Sequence, residues 1–258
     1  MDNPIPYSPS RLDASIFLKT FLKPKLDKPL KIADIGCGKL YFYSLLNSLK
    51  ASGYYLGIDL SPNYPQKKSK LNPKIARSDF MKFKTQEKFN LVACLWVLEH
   101  MQNESESFKK AANLLSHDGI FILAVPSVWS WPFEFGRHGY HYYTKRRIVT
   151  LCEKAGFKLL DLYQAGGFLG FIFMIIYNWI RYALLLLIVP IYFLLSSLRF
   201  NKISWKEFSH HFINSTFYYY HRWPKAISFH NKIVKLIVSQ DNRFKILPAS
   251  FILILNKK

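Results

Sequence analysis

Asp34-Ile35-Gly36-Cys37-Gly38 puts a carboxylate and two glycines into five residues, where a short apolar run gives way to a helical pattern. Glycines in such a turn let the backbone pass close to a ligand, and the helix that follows presents N–H groups to it. Asp59 stands 21 residues beyond Gly38 and closes a second apolar run. A carboxylate at that distance accepts hydrogen bonds from ribose hydroxyls. A dinucleotide fingerprint needs glycine at position 41, which is Tyr41, and that speaks against a nicotinamide cofactor. For proton transfer the chain offers His100, His138 and His141 near the expected strand ends. His100 reads either as a base or as a cap of its loop, and His141 either as a base or as a hydrogen-bond partner at a helix start. Glu99 beside His100 lacks further residues at ligand spacing, so no metal is expected. Trp129, Trp131, Phe133 and Phe135 suit the wall of an acceptor pocket, or lid and core packing equally.

These groups need a scaffold that brings strand ends together, and the pattern supplies one. Leu30–Ile35, Tyr54–Asp59, Pro73–Ser78, Phe89–Cys94, Ile120–Val125 and Phe157–Tyr163 read as strands, and Ser250–Asn256 as the last one. Helical stretches separate them: one running to about Ala51, Glu104–Leu115, and Lys145–Lys154 capped by Thr144. His117-Asp118-Gly119 reads as the turn into the fifth strand. Ile16, Phe17, Leu18, Phe21 and Leu22 predict a short helix ahead of the first strand, packed on the domain that follows. Such alternation predicts a mostly parallel sheet with helices on both faces, whose ligands bind at the carboxyl ends of the strands.

The residues at those ends carry a family resemblance. Asp34–Gly38, Gly57-Ile58-Asp59-Leu60-Ser61-Pro62, Ser78-Asp79-Phe80 and Phe89-Asn90-Leu91-Val92, in this order, resemble class I S-adenosylmethionine-dependent methyltransferases. Val97-Leu98-Glu99-His100-Met101, His141-Tyr142-Tyr143-Thr144 and Glu153-Lys154-Ala155-Gly156-Phe157 resemble the branch that includes the ubiquinone-pathway O-methyltransferases. The resemblance covers residues 30–164 and the final strand. It implies a Rossmann-like α/β fold with a seven-stranded, mostly parallel sheet, and S-adenosyl-L-methionine as cofactor. It further implies that Asp34 and the Gly36, Cys37 and Gly38 backbone hold the methionine part. Asp59 then takes the ribose hydroxyls, Leu60 lies beside the adenine, Asp79 meets its amino group and Phe80 its ring face. Leu95 lines the pocket near the methyl group. One departure is Leu40, which stands where the family places a third glycine and narrows the methionine end if its side chain points there.

Composition sets the partners. The 258 residues are 50% hydrophobic, with 36 Lys+Arg against 16 Asp+Glu and a net charge of +20. Three scattered cysteines exclude a disulfide-stapled class and fit a reducing compartment. The start of the chain lacks the basic-then-apolar pattern of a secretory signal. Phe168–Leu198 is a 31-residue apolar block, interrupted by Asn178, Arg181 and Pro190. Residues 199–258 follow with 11 basic and 2 acidic side chains. The block is long enough for one crossing and too short for two. Strands either side of it belong to one sheet, so the number of crossings must be even. A monotopic or re-entrant hairpin is expected, bent near Arg181 or Pro190, with both ends on the cytoplasmic side. Trp205, Phe208, Phe212, Phe217–Tyr220 and Trp223 among cations suit the headgroup zone of an anionic membrane.

The organisation expected is a helical segment 1–29, a cofactor-binding domain 30–164, a helical membrane-associating insertion 165–248 and a last strand 249–258. The function expected is methyl transfer to a small or lipid-linked acceptor, as O-methylation, at the cytoplasmic membrane face. Two alternatives stand beside it. One is a soluble nucleic-acid methyltransferase with a basic tail, against which the absence of an Asn-Pro-Pro-aromatic or catalytic-cysteine loop counts. The other is a non-catalytic membrane scaffold with a degenerate cofactor fold. The sequence leaves the oligomeric state open.

Overall fold

The computed structural model describes residues 7–65, 69–133, 139–197, 204–205, 224–242 and 245–258. Two compact units divide the chain: residues 13–165 with 248–258, and residues 1–12 with 166–247.

The larger unit is a seven-stranded sheet with strand order β3-β2-β1-β4-β5-β7-β6. Its strands are β1 (Leu30–Ile35), β2 (Gly53–Asp59), β3 (Leu71–Arg77), β4 (Phe89–Leu95), β5 (Leu115–Pro126), β6 (Phe157–Ala165) and β7 (Ser250–Lys257). Neighbours pair in parallel except β7, which runs antiparallel to both β5 and β6. Successive strand residues point to opposite faces, and here both faces are apolar. Ala33, Ile35, Leu56, Ile58, Val92, Cys94, Leu123 and Val125 feed one core. Helices α3 (Glu104–Leu114) and α4 (Lys145–Lys154) cover it with Phe108, Ala111, Ile148 and Cys152. Ile32, Tyr55, Leu91, Ala93, Ile122, Ala124, Ile252 and Ile254 feed the other, closed by Ala14, Leu18 and Leu22 of α1 (Pro9–Leu22) and by Phe42, Leu45 and Leu46 of α2 (Tyr41–Ser48). Burial on both sides is why these strands read as continuous apolar runs.

The helices start where capping residues stop the preceding loop. Asn103 accepts the N–H of Glu106 (3.1 Å) at α3, and Thr144 accepts that of Arg147 (3.2 Å) at α4. Side-chain oxygens there satisfy donors that a first helical turn leaves unpaired. The His117-Asp118-Gly119 turn is present, but as a bulge within β5. Phe89 pairs with Leu115 and Leu91 with Ile120, and the intervening β5 residues loop out.

The smaller unit contains α5 (Phe168–Ser197) and α6 (Pro224–Asp241). The expected hairpin inside the apolar block is not formed: α5 is one helix of 30 residues with Pro190 inside it. A bend would expose two further sets of unpaired helix-end groups. Arg181 favours helix, and Pro190 removes one backbone donor without supplying the glycine or asparagine of a turn. The C-terminus of α6 returns to the N-terminus of α5. The Asp241 carboxylate is buried and accepts the N–H groups of Leu169 and Gly170, both at 2.8 Å. It is a cap supplied from 71 and 72 residues downstream, and it completes the first turn of α5.

Candidate functional site

The end of β1 turns sharply at Gly36 (φ +71°) and Gly38 (φ +40°). A Cβ on Gly36 would lie 2.2 Å from a methyl of Val97, so only glycine fits beneath the loop that follows β4. Gly36 N–H reaches back to the Ile58 carbonyl (2.7 Å), tying the turn to the end of β2. Gly38 N–H donates to one oxygen of Asp59 (3.0 Å), and Ser61 N–H donates to the other (2.7 Å). Two residues 21 apart in sequence are thereby locked together. Each Asp59 oxygen has a second lone pair, enough for a pair of vicinal hydroxyls.

Asp34 lies at the end of β1 with 2% of its surface exposed, and the Tyr55 hydroxyl donates to it. Burial raises its carboxyl to about 7 against the lowering effect of Tyr55, with Asp59 raising it further. Cys37 is buried too, and its thiol is pushed up to about 12 by burial and by the charges of Asp34 and Asp59. It is therefore a thiol at neutral pH, a packing residue against Gly57 rather than a nucleophile.

Leu40 takes the left-handed conformation its glycine-like position demands (φ 61°, ψ 37°). Its side chain is 6% exposed and packs with Cys37, Tyr43 and Leu46 in the α1/α2 core. The bulk that could crowd a ligand is turned into the core instead. Leu40 gives no side-chain cap to α2, whose first-turn N–H groups begin beside the glycine turn.

Leu60 is exposed at 69%, and its carbonyl accepts from Arg77 Nε (3.2 Å). Asp79 caps its own turn by accepting Met81 N–H (2.8 Å). Leu95 ends β4 in the α1/α2 core. Phe80 is a core residue on the opposite face, and the Lys110 ammonium lies 5.4 Å from its ring centre. His100 is exposed, at the end of the short turn Leu98–His100. His141 has a Nε2 buried from solvent, and its Nδ1 lies 3.5 Å from the Arg147 guanidinium. Arginine can only donate, so toward it Nδ1 can serve only as an acceptor. Arg147 is fixed in turn by Glu104 (2.8 Å), the Tyr142 carbonyl (3.2 Å) and the Tyr143 ring. His138 and Phe135 lie outside the described residues, as do Phe208, Phe212, Phe217–Tyr220 and Trp223. Trp129 and Trp131 are exposed. Among the described residues, no group of three or more metal-ligating side chains is present.

Two site residues, Tyr55 and Trp96, escaped sequence reasoning. Tyr55 stands diagonal to Asp34 in the β1–β2 register, where Asp34 pairs with Gly57, so the strand pairing would have found it. Trp96 follows β4 in a left-handed conformation (φ 57°) and carries no such signal. Its indole N–H donates to the Ser250 hydroxyl at the start of β7 (3.0 Å), and its ring meets Tyr41 edge-on at 5.6 Å. The indole thus reaches from the carboxyl end of β4 to the start of β7, close to the glycine turn.

A family model described as a methyltransferase domain matches residues 12–162. No curated protein matches the chain in sequence. Among solved structures, an S-adenosylmethionine-dependent methyltransferase from Mesorhizobium loti aligns at 14% identity over 95% of this chain and 98% of its own, with a TM-score of 0.52. One from Archaeoglobus fulgidus aligns at 14% over 95% and 94%, with a TM-score of 0.52. The cyclopropane synthase MmaA2 from Mycobacterium tuberculosis aligns at 13% over 94% and 84%, with a TM-score of 0.53. At these identities the likeness is one of fold.

Proposed function

Because the chain belongs to the methyltransferase-domain family and uses S-adenosylmethionine, we propose that it methylates a lipid-linked acceptor, through oxygen, at the cytoplasmic face of a membrane. The observation that carries the membrane part is α5, whose apolar side chains stand exposed along its whole length: Leu169, Ile172, Ile176, Trp179, Leu187, Ile191 and Leu194. An enzyme that holds such a surface next to its catalytic unit in sequence has a reason to take its acceptor from lipid.

The cofactor fits the residues present. Gly36–Gly38 leaves backbone open beside Asp59, whose carboxylate is already oriented by Gly38 and Ser61. In this reading Asp59 holds the ribose hydroxyls, and Asp34 with the glycine turn holds the methionine end. Leu60, Leu95 and Asp79 border the rest, while Phe80 contributes from the core side. Bound there, S-adenosylmethionine supplies an electrophilic methyl group on a sulfonium. The chain's task is then alignment for in-line displacement and removal of the acceptor's proton. Of the two candidate bases, His100 takes that role. His141 is held at the Arg147 guanidinium through Nδ1, and its Nε2 is buried from solvent, which leaves it no open nitrogen to take that proton.

Calorimetry with S-adenosylhomocysteine on the full chain tests the cofactor half, and binding lost in Asp59→Ala is expected. Incubation with S-adenosylmethionine and a membrane lipid extract, read by mass spectrometry, tests the acceptor half. A methyl gain in the lipid fraction supports the reading, and one confined to nucleic acid or to water-soluble compounds overturns it.

A further inference from the structure

We infer that α5 and α6 form an in-plane plate. On this reading α5 lies within one leaflet of an anionic bilayer, α6 lies at its headgroups, and neither crosses. The inference rests on the membrane reading above and adds which surface touches what.

Three observations carry it. The first is the polarity of α5, which is inverted relative to a helix in water. Its exposed stripe runs through Leu169, Ile172, Ile176, Trp179, Ile180 and Leu187. Its polar Asn178 is buried and Tyr177, Tyr182 and Ser196 are half-buried, so that among its described polar side chains the terminal Ser197 alone is exposed. A helix facing water keeps its polar side outward, so this stripe has an apolar medium as its counterpart.

The second is charge. The exposed residues of α6 include Lys225, Lys232 and Lys235, with Phe229 between the first two and Leu236 next to the last. The one acid in α6, Asp241, is buried at the start of α5, and α5 holds no acid at all. A cationic face punctuated by apolar side chains matches anionic headgroups over an acyl boundary.

The third is topology. α5 is one unbroken helix, about 45 Å long at 1.5 Å per residue, ample for one crossing. β6 precedes it and β7 follows it, and the two pair in a single sheet. A single crossing would put them on opposite sides. In sequence, no uncharged stretch between residues 198 and 223 approaches the about 20 residues of a second crossing. α6 is studded with lysines and cannot be that crossing either. With α5 one continuous helix and no second span, zero crossings satisfy the sheet.

Trp179 makes the inference measurable. It is 71% exposed and is the twelfth residue of α5. A crossing helix would carry it about 18 Å in, near the bilayer midplane, whereas an in-plane helix leaves it about 5–10 Å deep. The experiment adds full-length protein to phosphatidylcholine vesicles with and without phosphatidylglycerol. The lipids carry spin labels either near the headgroup or near the acyl chain end, and the Trp179 signal is the wild type minus Trp179→Phe. The expected result is stronger quenching by the shallow label and preference for the anionic vesicles. Replacing Lys225, Lys232 and Lys235 by alanine should reduce that preference on the order of a hundredfold, from about fivefold per lysine. Ile176→Asp should weaken binding to either vesicle about tenfold or more. Stronger quenching by the deep label overturns the in-plane placement and leaves the membrane reading standing. Absence of binding to both vesicles, or a stable dimer in buffer that shields Trp179, overturns both. An unchanged lipid preference in the lysine variant overturns the role of α6.

Discussion

Helix α4 and helix α5 solve opposite problems. α4 hides Ile148 and Cys152 against the sheet and turns Lys145, Arg146 and Glu153 to solvent. α5 buries Asn178 and turns Trp179, Leu186 and Leu187 outward, each about 70% exposed. The same hydrophobic effect shapes both, at roughly 25 cal/mol per Å² of apolar surface removed from water. In the sheet unit that surface is removed by folding. Along α5 it stays exposed in the folded chain, and the contrast separates residues that hold the fold from residues the fold leaves open.

The sharpest way to break the comparison is to make one change in both regions. Leu123→Asp places an unpaired carboxylate in the centre of the sheet, where Leu123 is fully buried, and should cost more than about 4 kcal/mol, read as loss of folding in a denaturant titration. Leu187→Asp on the exposed stripe should leave that titration within about 0.5 kcal/mol of wild type while releasing the protein from vesicles. Equal destabilisation by both would erase the distinction.

Gly36→Ala comes next in size. Its Cβ would meet Val97 at 2.2 Å in a backbone conformation that disfavours any side chain, and a loss of about 3 kcal/mol in stability is expected, together with cofactor affinity. Gly36→Ala with Val97→Ala should recover the steric part, and no recovery would mean the backbone conformation is the whole cost.

A third test uses pH. Asp34 keeps its proton in the folded chain up to about 7, whereas the unfolded chain loses it near 4. The folded form therefore binds the extra proton between those values. This group's contribution to stability falls as pH rises through that window and levels off above it. If the carboxylate meets the cationic methionine end, S-adenosylhomocysteine should bind more tightly from pH 6 to pH 8, by less than tenfold per unit. Asp34→Asn should flatten that profile. A wild-type affinity that is flat across this range contradicts the placement.

The smallest effect is expected at the helix junction. Asp241→Ala removes the acceptor for Leu169 and Gly170 N–H and should cost about 1 kcal/mol. Hydrogen exchange should show faster opening at the start of α5 and no change in β4 or β5.

Much of the sheet unit was legible because its signals are local. Apolar runs of strand length, the capping Thr144 and the glycine turn each act within a few residues, and the register then brings Gly38 to Asp59. The features that escaped depend on distant partners. The left-handed backbone of Trp96 goes with an indole bonded to Ser250, 154 residues on. The surroundings of His141 depend on Arg147, whose guanidinium is positioned by Glu104 from another helix. The β5 bulge looked like a plain turn, because only pairing with Phe89 keeps Leu115 in the strand. Within α5, Pro190 looked like a bend because proline is read by its own geometry. What decides is whether neighbouring residues offer the backbone another partner, and a run of Leu, Ile, Val and Phe offers none.

The most direct measurement follows the methyl group itself. Full-length protein, anionic vesicles containing a membrane lipid extract and S-adenosylmethionine labelled on its methyl carbon are incubated, and label is counted in the organic and aqueous phases. Label is expected in the organic phase, lost with Asp59→Ala and strongly reduced with Leu187→Asp. Label that stays in the aqueous phase, or that reaches lipid equally well with Leu187→Asp, would contradict that expectation.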